Sequence, residues 1–224
     1  MRWPSAFFIF HFAFNILHFA PASLSAAPPS SNDAPDKFSV PSPDGQFIFR
    51  QTVQWNSEDG EAAFNVFDTR TRRSVLTDPG ASLPPMEDSI VCLWSPDSKR
   101  FAINARVAGH HDTTELFEWT GKDFHHIPSI ENSITALLAA DRQAQLTNAR
   151  IPTGAALRQI WDTYKTLKWQ DHETVEVLAS SIRSAPPNKD STAPTKLVSA
   201  FTFTLKLQKN SPPKIIAQSA LPPK

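Results

Sequence analysis

The chain has 224 residues, and its 22 basic and 22 acidic side chains give a formal net charge of zero. A neutral chain sets up no long-range field for nucleic acid or anionic lipid, so no nucleic-acid partner is expected. The only cysteine, Cys92, excludes an intramolecular disulfide, and the fold must therefore depend on packing. Because Cys92 lies in an apolar run, it is predicted to be a small core residue rather than a nucleophile.

Residues 1–26 are predicted to form a cleaved signal peptide. Arg2 precedes an apolar, Phe-rich run over 6–20, and the small residues before Ala26 are typical of a signal-peptidase site. The apolar run is shorter than the roughly 20 residues that span a bilayer. We therefore expect an exported chain, periplasmic or extracellular, without a stable membrane anchor after cleavage. A retained anchor and a cytosolic chain are the alternatives.

Residues 27–37 are rich in Pro, Ser and Asp and predict a flexible linker, so order is expected to begin at Phe38. A short phrase then occurs twice in the chain. Ser42-Pro43-Asp44-Gly45 and Ser95-Pro96-Asp97-Ser98 lie 53 positions apart (97 minus 44), and each leads into a hydrophobic strand. Ser and Pro at the first two positions are typical of a type I turn.

Each phrase lies within a predicted run of four antiparallel strands. The first run comprises 38–40, 47–53, 63–68 and 74–76, and the second comprises 90–94, 101–107, 114–120 and 123–127. Loops are predicted at 56–60 and 108–112. Two copies of the same order of parts predict two consecutive β-meanders over residues 38–127.

Two segments carry a family resemblance. Trp94-Ser95-Pro96-Asp97-Ser98 with its following strand, and the segment 66–72, resemble the repeats of WD-type and Tol-system periplasmic β-propellers. The resemblance covers residues 38–127 and implies four-stranded blades, but it says little about activity because such turns are structural. Two units cannot close a ring of at least about four blades, so a complete propeller is not expected. Together with a signal peptide, the two units also resemble secreted bacterial proteins.

Residues 128–224 show a different pattern. Apolar residues at helical spacing predict a helix over about 130–146, with Ser129 as its N-cap, and a second, shorter helix over 157–164. An imperfect third copy of the phrase begins at Trp169 and leads into a strand at 174–177. Further antiparallel strands are predicted at 197–207 and 215–217, after a polar loop at 184–194. The predicted fold class is mainly β, or α+β by content.

Metal-ligating residues are sparse. His110, His111 and Asp112 are the only candidates for a metal site, and they are weak ones, because adjacent residues of a strand point to opposite faces. His125 and His126 have the same defect. No cofactor is expected.

Catalytic patterns are equally weak, and no catalytic residue is predicted. None of the six glycines belongs to a Gly-x-Ser-x-Gly nucleophile turn. Asp44 and Asp97 are interpreted as turn-bonding groups rather than calcium ligands. The remaining acidic residues considered are interpreted as solvated loop charges, and five tryptophans as packing anchors: Glu58, Asp59, Glu61, Glu87, Asp88, Trp55, Trp94, Trp119, Trp161 and Trp169.

Two functions follow as hypotheses. The leading one is a non-catalytic exported β-module that binds a protein, a glycan or a second copy of itself through loops or sheet edges, since open meanders leave edge strands. The alternative is an exported hydrolase whose site is assembled from scattered loop residues, with His111 and Asp112 as the residues to test.

Overall fold

The structure, a computed structural model, describes residues 36–56, 59–76, 90–152, 154–187, 193–209 and 211–222. These residues all belong to one unit of the chain, residues 34–224. The predicted signal peptide and the predicted linker up to residue 35 lie outside the described residues, as does the tip of the predicted loop at 184–194.

The first sheet is antiparallel and has three strands in the order β1-β2-β3. Its strands are β1 (Asp36–Pro41), β2 (Phe47–Asn56) and β3 (Asp59–Asp68). Along β2, Phe47, Phe49 and Gln51 are buried, whereas Ile48 and Arg50 are half-buried, which confirms the predicted alternation.

The fourth strand predicted for the first meander is not formed as a strand. Ser74 makes one isolated bridge to Phe67, and Leu76 makes one to Phe124 of the second meander. The amide of Phe124 donates to the carbonyl of Val75 at 2.6 Å. The segment is divided between two neighbours, and for this reason it adds no continuous fourth strand to the first sheet.

The second sheet has eight strands and is mixed. Its order is β11-β10-β9-β8-β6-β5-β4, with β7 paired to β6. The strands are β4 (Val91–Trp94), β5 (Arg100–Ala108), β6 (His111–Trp119), β7 (Phe124–Ile127), β8 (Arg158–Trp169), β9 (Thr174–Ala185), β10 (Thr195–Gln208) and β11 (Ser211–Ala220). Strands β4 to β7 confirm the predicted second meander. All pairs are antiparallel except β6 and β8, which are parallel over two residue pairs.

The helix α1 (Glu131–Asn148) confirms the predicted helix. Its N-cap is Ile130, one residue later than predicted, although the Ser129 hydroxyl still accepts a hydrogen bond from the amide of Glu131 at 3.2 Å. Ile134, Leu138 and Leu146 are buried and face the second sheet's core.

The second predicted helix is wrong, because residues 158–169 form β8. The spacing of Leu157, Ile160, Trp161 and Tyr164 suits a helix, but the segment is also rich in β-branched and aromatic residues, which favour strands. Pairing with β9 along almost its whole length decides the outcome. Tertiary context has overridden an ambiguous local pattern.

Two hydrophobic cores share strand β5. Phe101 and Ile103 face the first sheet in an aromatic core, where Phe101 stacks on Phe117 with ring centroids 4.7 Å apart. Ala102, on the opposite face, belongs to a second core with α1 and strands β8 to β10. Cys92 is buried in the aromatic core, as predicted, and burial raises the pKa of its thiol. The mainly β class is confirmed, and the described strands close neither a barrel nor a propeller.

The two copies of the repeated phrase form the same turn. The amide at the fourth position donates to the first serine's carbonyl, at 2.9 Å for Gly45 and 3.0 Å for Ser98. Each serine hydroxyl donates to the aspartate two residues later at 2.7 Å. Gly45 and Ser98 both have positive φ, 69° and 60°. The interpretation of Asp44 and Asp97 as turn-bonding groups is therefore confirmed.

The turns also contact one another. The hydroxyl of Ser98 accepts a hydrogen bond from the amide of Asp44 at 3.0 Å, a contact that glycine at position 98 would lack. Arg100 reaches the turn that follows β8, donating to the carbonyl of His172 at 2.5 Å and pairing with Glu118. A positive φ favours glycine at position 98, but only the Ser98 hydroxyl can accept the hydrogen bond from Asp44.

Two tryptophans bridge consecutive hairpins in the same way. The indole N–H of Trp94 donates to the carbonyl of Val40 at 3.2 Å, and that of Trp169 donates to the carbonyl of Leu93 at 2.9 Å. Val40 and Leu93 occupy equivalent places, each two residues before the serine of its turn. Each hairpin is thus held on the preceding one by an indole.

We predict that Trp94→Phe and Trp169→Phe each lower the free energy of unfolding by about 1–2 kcal/mol, because a partly buried carbonyl loses the hydrogen bond from the indole. Urea unfolding followed by circular dichroism measures the change. Trp119→Phe is the matched control, since Trp119 packs in the aromatic core and none of the described residues accepts a hydrogen bond from its indole. Equal losses in all three variants would show that ring volume, not the hydrogen bond, is responsible.

Candidate functional site

His110, His111 and Asp112 lie where β5 turns into β6. The predicted loop at 108–112 is shorter than expected, because β5 continues to Ala108 and β6 begins at His111. His110 is exposed, His111 is half-buried and Asp112 is buried. Among the described residues, no three His, Cys, Asp or Glu side chains cluster in a way that could hold a metal ion.

Asp112 is the centre of a charged cluster that joins β6 to β5 and β8. Its Oδ1 lies 3.3 Å from Nε of Arg106, and its Oδ2 lies 3.2 Å from Nζ of Lys165. Oδ2 also accepts hydrogen bonds from the Trp161 indole at 3.2 Å and the Thr163 hydroxyl at 3.4 Å. We call these five residues the Asp112 cluster.

Arg106 is held from two sides in this cluster. Its guanidinium lies 4.8 Å from the ring centroid of Trp161, within the range of a cation–π interaction, while it pairs with Asp112. His110 meets the same indole edge-on at 5.7 Å. The indole of Trp161 is therefore in contact with both Arg106 and His110.

The surroundings of Asp112 keep it ionised. Burial by itself raises the pKa of the Asp112 carboxyl, but the hydrogen bonds from Trp161 and Lys165, and the charge of Lys165, outweigh burial and hold the pKa below its ordinary value. An ionised carboxylate with both oxygens bonded to cations and donors stabilises the junction of three strands. As a general base it would first have to break these bonds.

Asp162 forms a second ion pair beside the cluster. Arg183 binds it in a bidentate manner, with N–O distances of 2.6 and 2.8 Å, and Gln159 donates to its Oδ2 at 2.8 Å. His111 is paired in register with Asp162, and its ring centroid lies 5.9 Å from that of Tyr164. The predicted residues His111 and Asp112 are thus brought together with partners about 50 residues further along the chain.

Sequence reasoning missed these partners. Trp161 and Asp162 fell in the segment 157–164 that was predicted as a helix, and Lys165 directly follows it, so none of the three carried a signal of pairing with 111–112. The wrong assignment of secondary structure hid the parallel pairing of β6 with β8. Of the tryptophans predicted as packing anchors, Trp94, Trp119 and Trp169 are confirmed by their positions against the two cores; the side chain of Trp55 lies outside the described residues.

The side chain of Asn104 pairs with the backbone of β8, as the backbone of a neighbouring strand would. Its Nδ2 donates to the carbonyl of Thr166, and its Oδ1 accepts from the amide of Thr166, both at 2.8 Å. The Thr114 and Thr166 hydroxyls lie 2.8 Å apart beside this pair. A buried amide in the second core is therefore satisfied, and the edge of β8 is closed at this point.

The side chain of Gln145 likewise pairs with the backbone at the edge of β10. Beyond β11, the amide of Leu221 donates to the carbonyl of Ala200, and Gln145 then donates to the carbonyl of Val198 at 2.8 Å and accepts from its amide at 3.0 Å. A groove of about 330 Å³ lies beside this edge. The helix thus occupies the position at which another strand would add to β10.

A larger cleft, of about 410 Å³, opens on the face of the first sheet that points away from the aromatic core. Its lining residues come from β2, β3 and the turn after β3: Ile48, Arg50, Phe67, Asp68, Thr69 and Arg72. The guanidinium of Arg50 lies 5.5 Å from the ring centroid of Phe67. The cleft combines two cationic side chains, one carboxylate and an apolar floor.

The turn that shapes this cleft is fixed by Asp68. Its Oδ1 accepts hydrogen bonds from the amides of Arg70 at 2.9 Å and Thr71 at 2.7 Å. These bonds, that of Thr71 foremost, lower the pKa of the Asp68 carboxyl. Arg72 follows with a positive φ of 58°. The turn therefore sets the position of Arg72 at the rim of the cleft.

Comparison with known proteins adds no relative: no family model and no curated protein matches the chain. Within the described part of the chain, no helix combines the length and hydropathy needed to cross a membrane.

We predict that Asp112→Asn lowers the free energy of unfolding at pH 7 by about 1–3 kcal/mol, because Arg106 and Lys165 lose their counter-charge. The pKa of Asp112 is lower in the folded state, so its stabilisation is present above the unfolded value of 3.8 and is lost as the pH falls through the folded pKa. The difference between wild type and variant should therefore shrink at acidic pH. Urea titrations at several pH values measure it.

The control is Glu173→Gln, which removes an exposed pair with Lys206 at 3.8 Å. We expect a change below about 0.5 kcal/mol from it, as is usual for surface pairs. A loss in Asp112→Asn that stays constant down to pH 2, or one no larger than that of the control, would contradict a stabilising role for the carboxylate.

Proposed function

We propose that the protein is a non-catalytic, exported β-module that binds an acidic peptide segment of a protein partner. The observation that carries the proposal is the cleft on the first sheet, where Arg50 and Arg72 flank the apolar side chains of Ile48 and Phe67. A volume of about 410 Å³ lies within the range of roughly 300–1,000 Å³ common for ligand pockets. Arginine is well suited to such a site because its planar guanidinium binds carboxylates through two hydrogen bonds.

The arrangement of the other polar groups supports a binding role over the hydrolase alternative. Both oxygens of Asp112 are engaged within the chain, and Asp162 is held by Arg183. Asp112 thereby joins β6 to β5 and β8, and Asp162 joins β8 to β9. The residues first considered for hydrolysis therefore have a structural explanation, whereas the cleft is open to a ligand.

Export and repeat architecture belong to the same proposal. The N-terminal pattern of residues 1–26 supports secretion, with cleavage leaving no stable anchor. The identical turns at Ser42 and Ser95, and the bridging indoles of Trp94 and Trp169, support an open array of propeller-type units. The cleft lies on the face of the first sheet that points away from the aromatic core.

The test uses the dipeptide Glu–Phe as a probe, with Gln–Phe amide as its counterpart without carboxylates. In two-dimensional NMR titrations of the labelled protein, we expect saturable shifts of the amides around β2, β3 and the turn at 68–72 with Glu–Phe only. Arg72→Gln should weaken binding about tenfold, because one charge-assisted pair is lost. Arg70→Gln is the matched control, since Arg70 lies on the same turn but is not among the lining residues.

Equal weakening by both variants would indicate a general charge effect and count against a defined site. Binding of Gln–Phe amide as tight as that of Glu–Phe, or no saturable binding of Glu–Phe, would contradict the proposed chemistry. Turnover of ester or peptide substrates that is lost in His111→Ala would instead favour the hydrolase.

A further inference from the structure

Strand β11 is unusual in its exposure. Its five last residues, 216–220, are all exposed, although successive side chains of a strand point to opposite faces of the sheet. Ile216 is 51% exposed, the largest fraction among the exposed large hydrophobic residues of the described chain. Within the described part of the chain, β11 is the terminal strand of the eight-stranded sheet and pairs with β10 alone.

The register shows which backbone groups point outward. Phe201 is paired with Ala220 and Thr202 with Ser219, while the amide of Leu221 donates to the carbonyl of Ala200. Since hydrogen-bonded pairs alternate along an antiparallel ladder, Ser219 directs its backbone groups toward β10. Gln218 and Ala220 therefore direct their N–H and C=O groups to the open edge.

Among the described residues, this half of the edge shows none of the features that usually prevent strand addition. Prolines, charged side chains and cover by a helix or loop are the common protections. Pro212, Pro213 and Lys214 protect only the beginning of β11, and residues 215–220 contain neither proline nor charge. The edge of β10 next to it, by contrast, is closed by Gln145.

We infer that β11 pairs with β11 of a second copy of the chain, antiparallel and about a two-fold axis at Gln218. This register places Gln218 opposite its mate and Ile216 opposite Ala220, so the paired segment covers the exposed run 216–220. An interface between identical strands requires a segment that complements itself, and a segment without charge meets that requirement without repulsion.

The flanking charges are also compatible with this register. Lys214 of one copy lies opposite Pro222 of the other, so the two Lys214 side chains are eight residues apart, about 27 Å at roughly 3.4 Å per residue. That distance exceeds the screening length of about 8 Å at physiological salt. The net charge of zero adds no general repulsion between copies.

The opposite edge of the same sheet is the competing partner. Strand β4 has four residues, and Val91 on it is 45% exposed. Pairing of β11 with β4 of another copy would be head-to-tail and would build open filaments rather than a closed dimer. The two arrangements can be told apart by the size of the assembly and by variants at each edge.

Sedimentation velocity of the purified full chain, over a roughly hundredfold range of concentration, tests the inference. We expect a monomer–dimer equilibrium that does not change when sodium chloride is raised, because the paired segment is uncharged. Gln218→Pro removes an outward N–H, which an edge strand tolerates, and should weaken dimerisation at least about tenfold. Ile216→Lys should do the same by placing a charge on the edge, and Val91→Lys should leave the dimer intact.

Thermal unfolding shows whether each variant is folded. If Gln218→Pro does not fold, the result for Ile216→Lys decides the test. A monomer at every concentration overturns the inference, and so does a dimer that both β11 variants leave unchanged. Filaments, or a dimer abolished by Val91→Lys, would assign the contact to β4. The result is independent of the cleft, because Arg72→Gln should leave the dimer unchanged.

Discussion

The hydrogen bonds from the indoles of Trp94 and Trp169 to backbone carbonyls of earlier hairpins join the hairpins of the described chain to one another. Each indole brings a strand end to a fixed distance from the hairpin before it, and the turns then meet through Ser98 and Arg100. With a single cysteine, the chain has no disulfide to perform this task. Aromatic packing and a few hydrogen bonds therefore hold each hairpin against an earlier one.

This arrangement buries strand β5 on both faces. Phe101 and Ile103 face the first sheet, while Ala102 and Asn104 face β8 and α1. A strand that is covered on both sides needs partners for its polar residues, which explains why the amide of Asn104 binds the backbone of Thr166. The same requirement explains the Asp112 cluster, in which a buried carboxylate at the start of β6 is matched by cations and by the indole of Trp161. Beyond the two residue pairs that join β8 to β6, polar side chains thus take the place of backbone pairing.

The proposed functions use two surfaces that the described chain leaves open. Arg50 and Arg72 flank a cleft on the outer face of the first sheet, and β11 exposes an uncharged edge in the second sheet. The edge of β10 beyond β11, by contrast, is closed by the side chain of Gln145. Binding at the cleft depends on charge, whereas pairing at β11 depends on backbone hydrogen bonds, so salt should separate the two.

Local periodicity and the conformations of Pro, Gly and Ser were enough to predict the mainly β class, the second meander, the helix α1 and the turn-bonding role of Asp44 and Asp97. The strand at residues 158–169 could not be predicted locally, since its pattern suits both a helix and a strand and long-range pairing with β9 selects the strand. The tertiary structure also brings Asp112 to Trp161, Thr163 and Lys165, which lie 49 to 53 residues away, through a parallel pairing that no local pattern encodes. The cleft and the exposed edge could not be predicted from the sequence either. Both depend on which strands remain without neighbours once the sheets have formed.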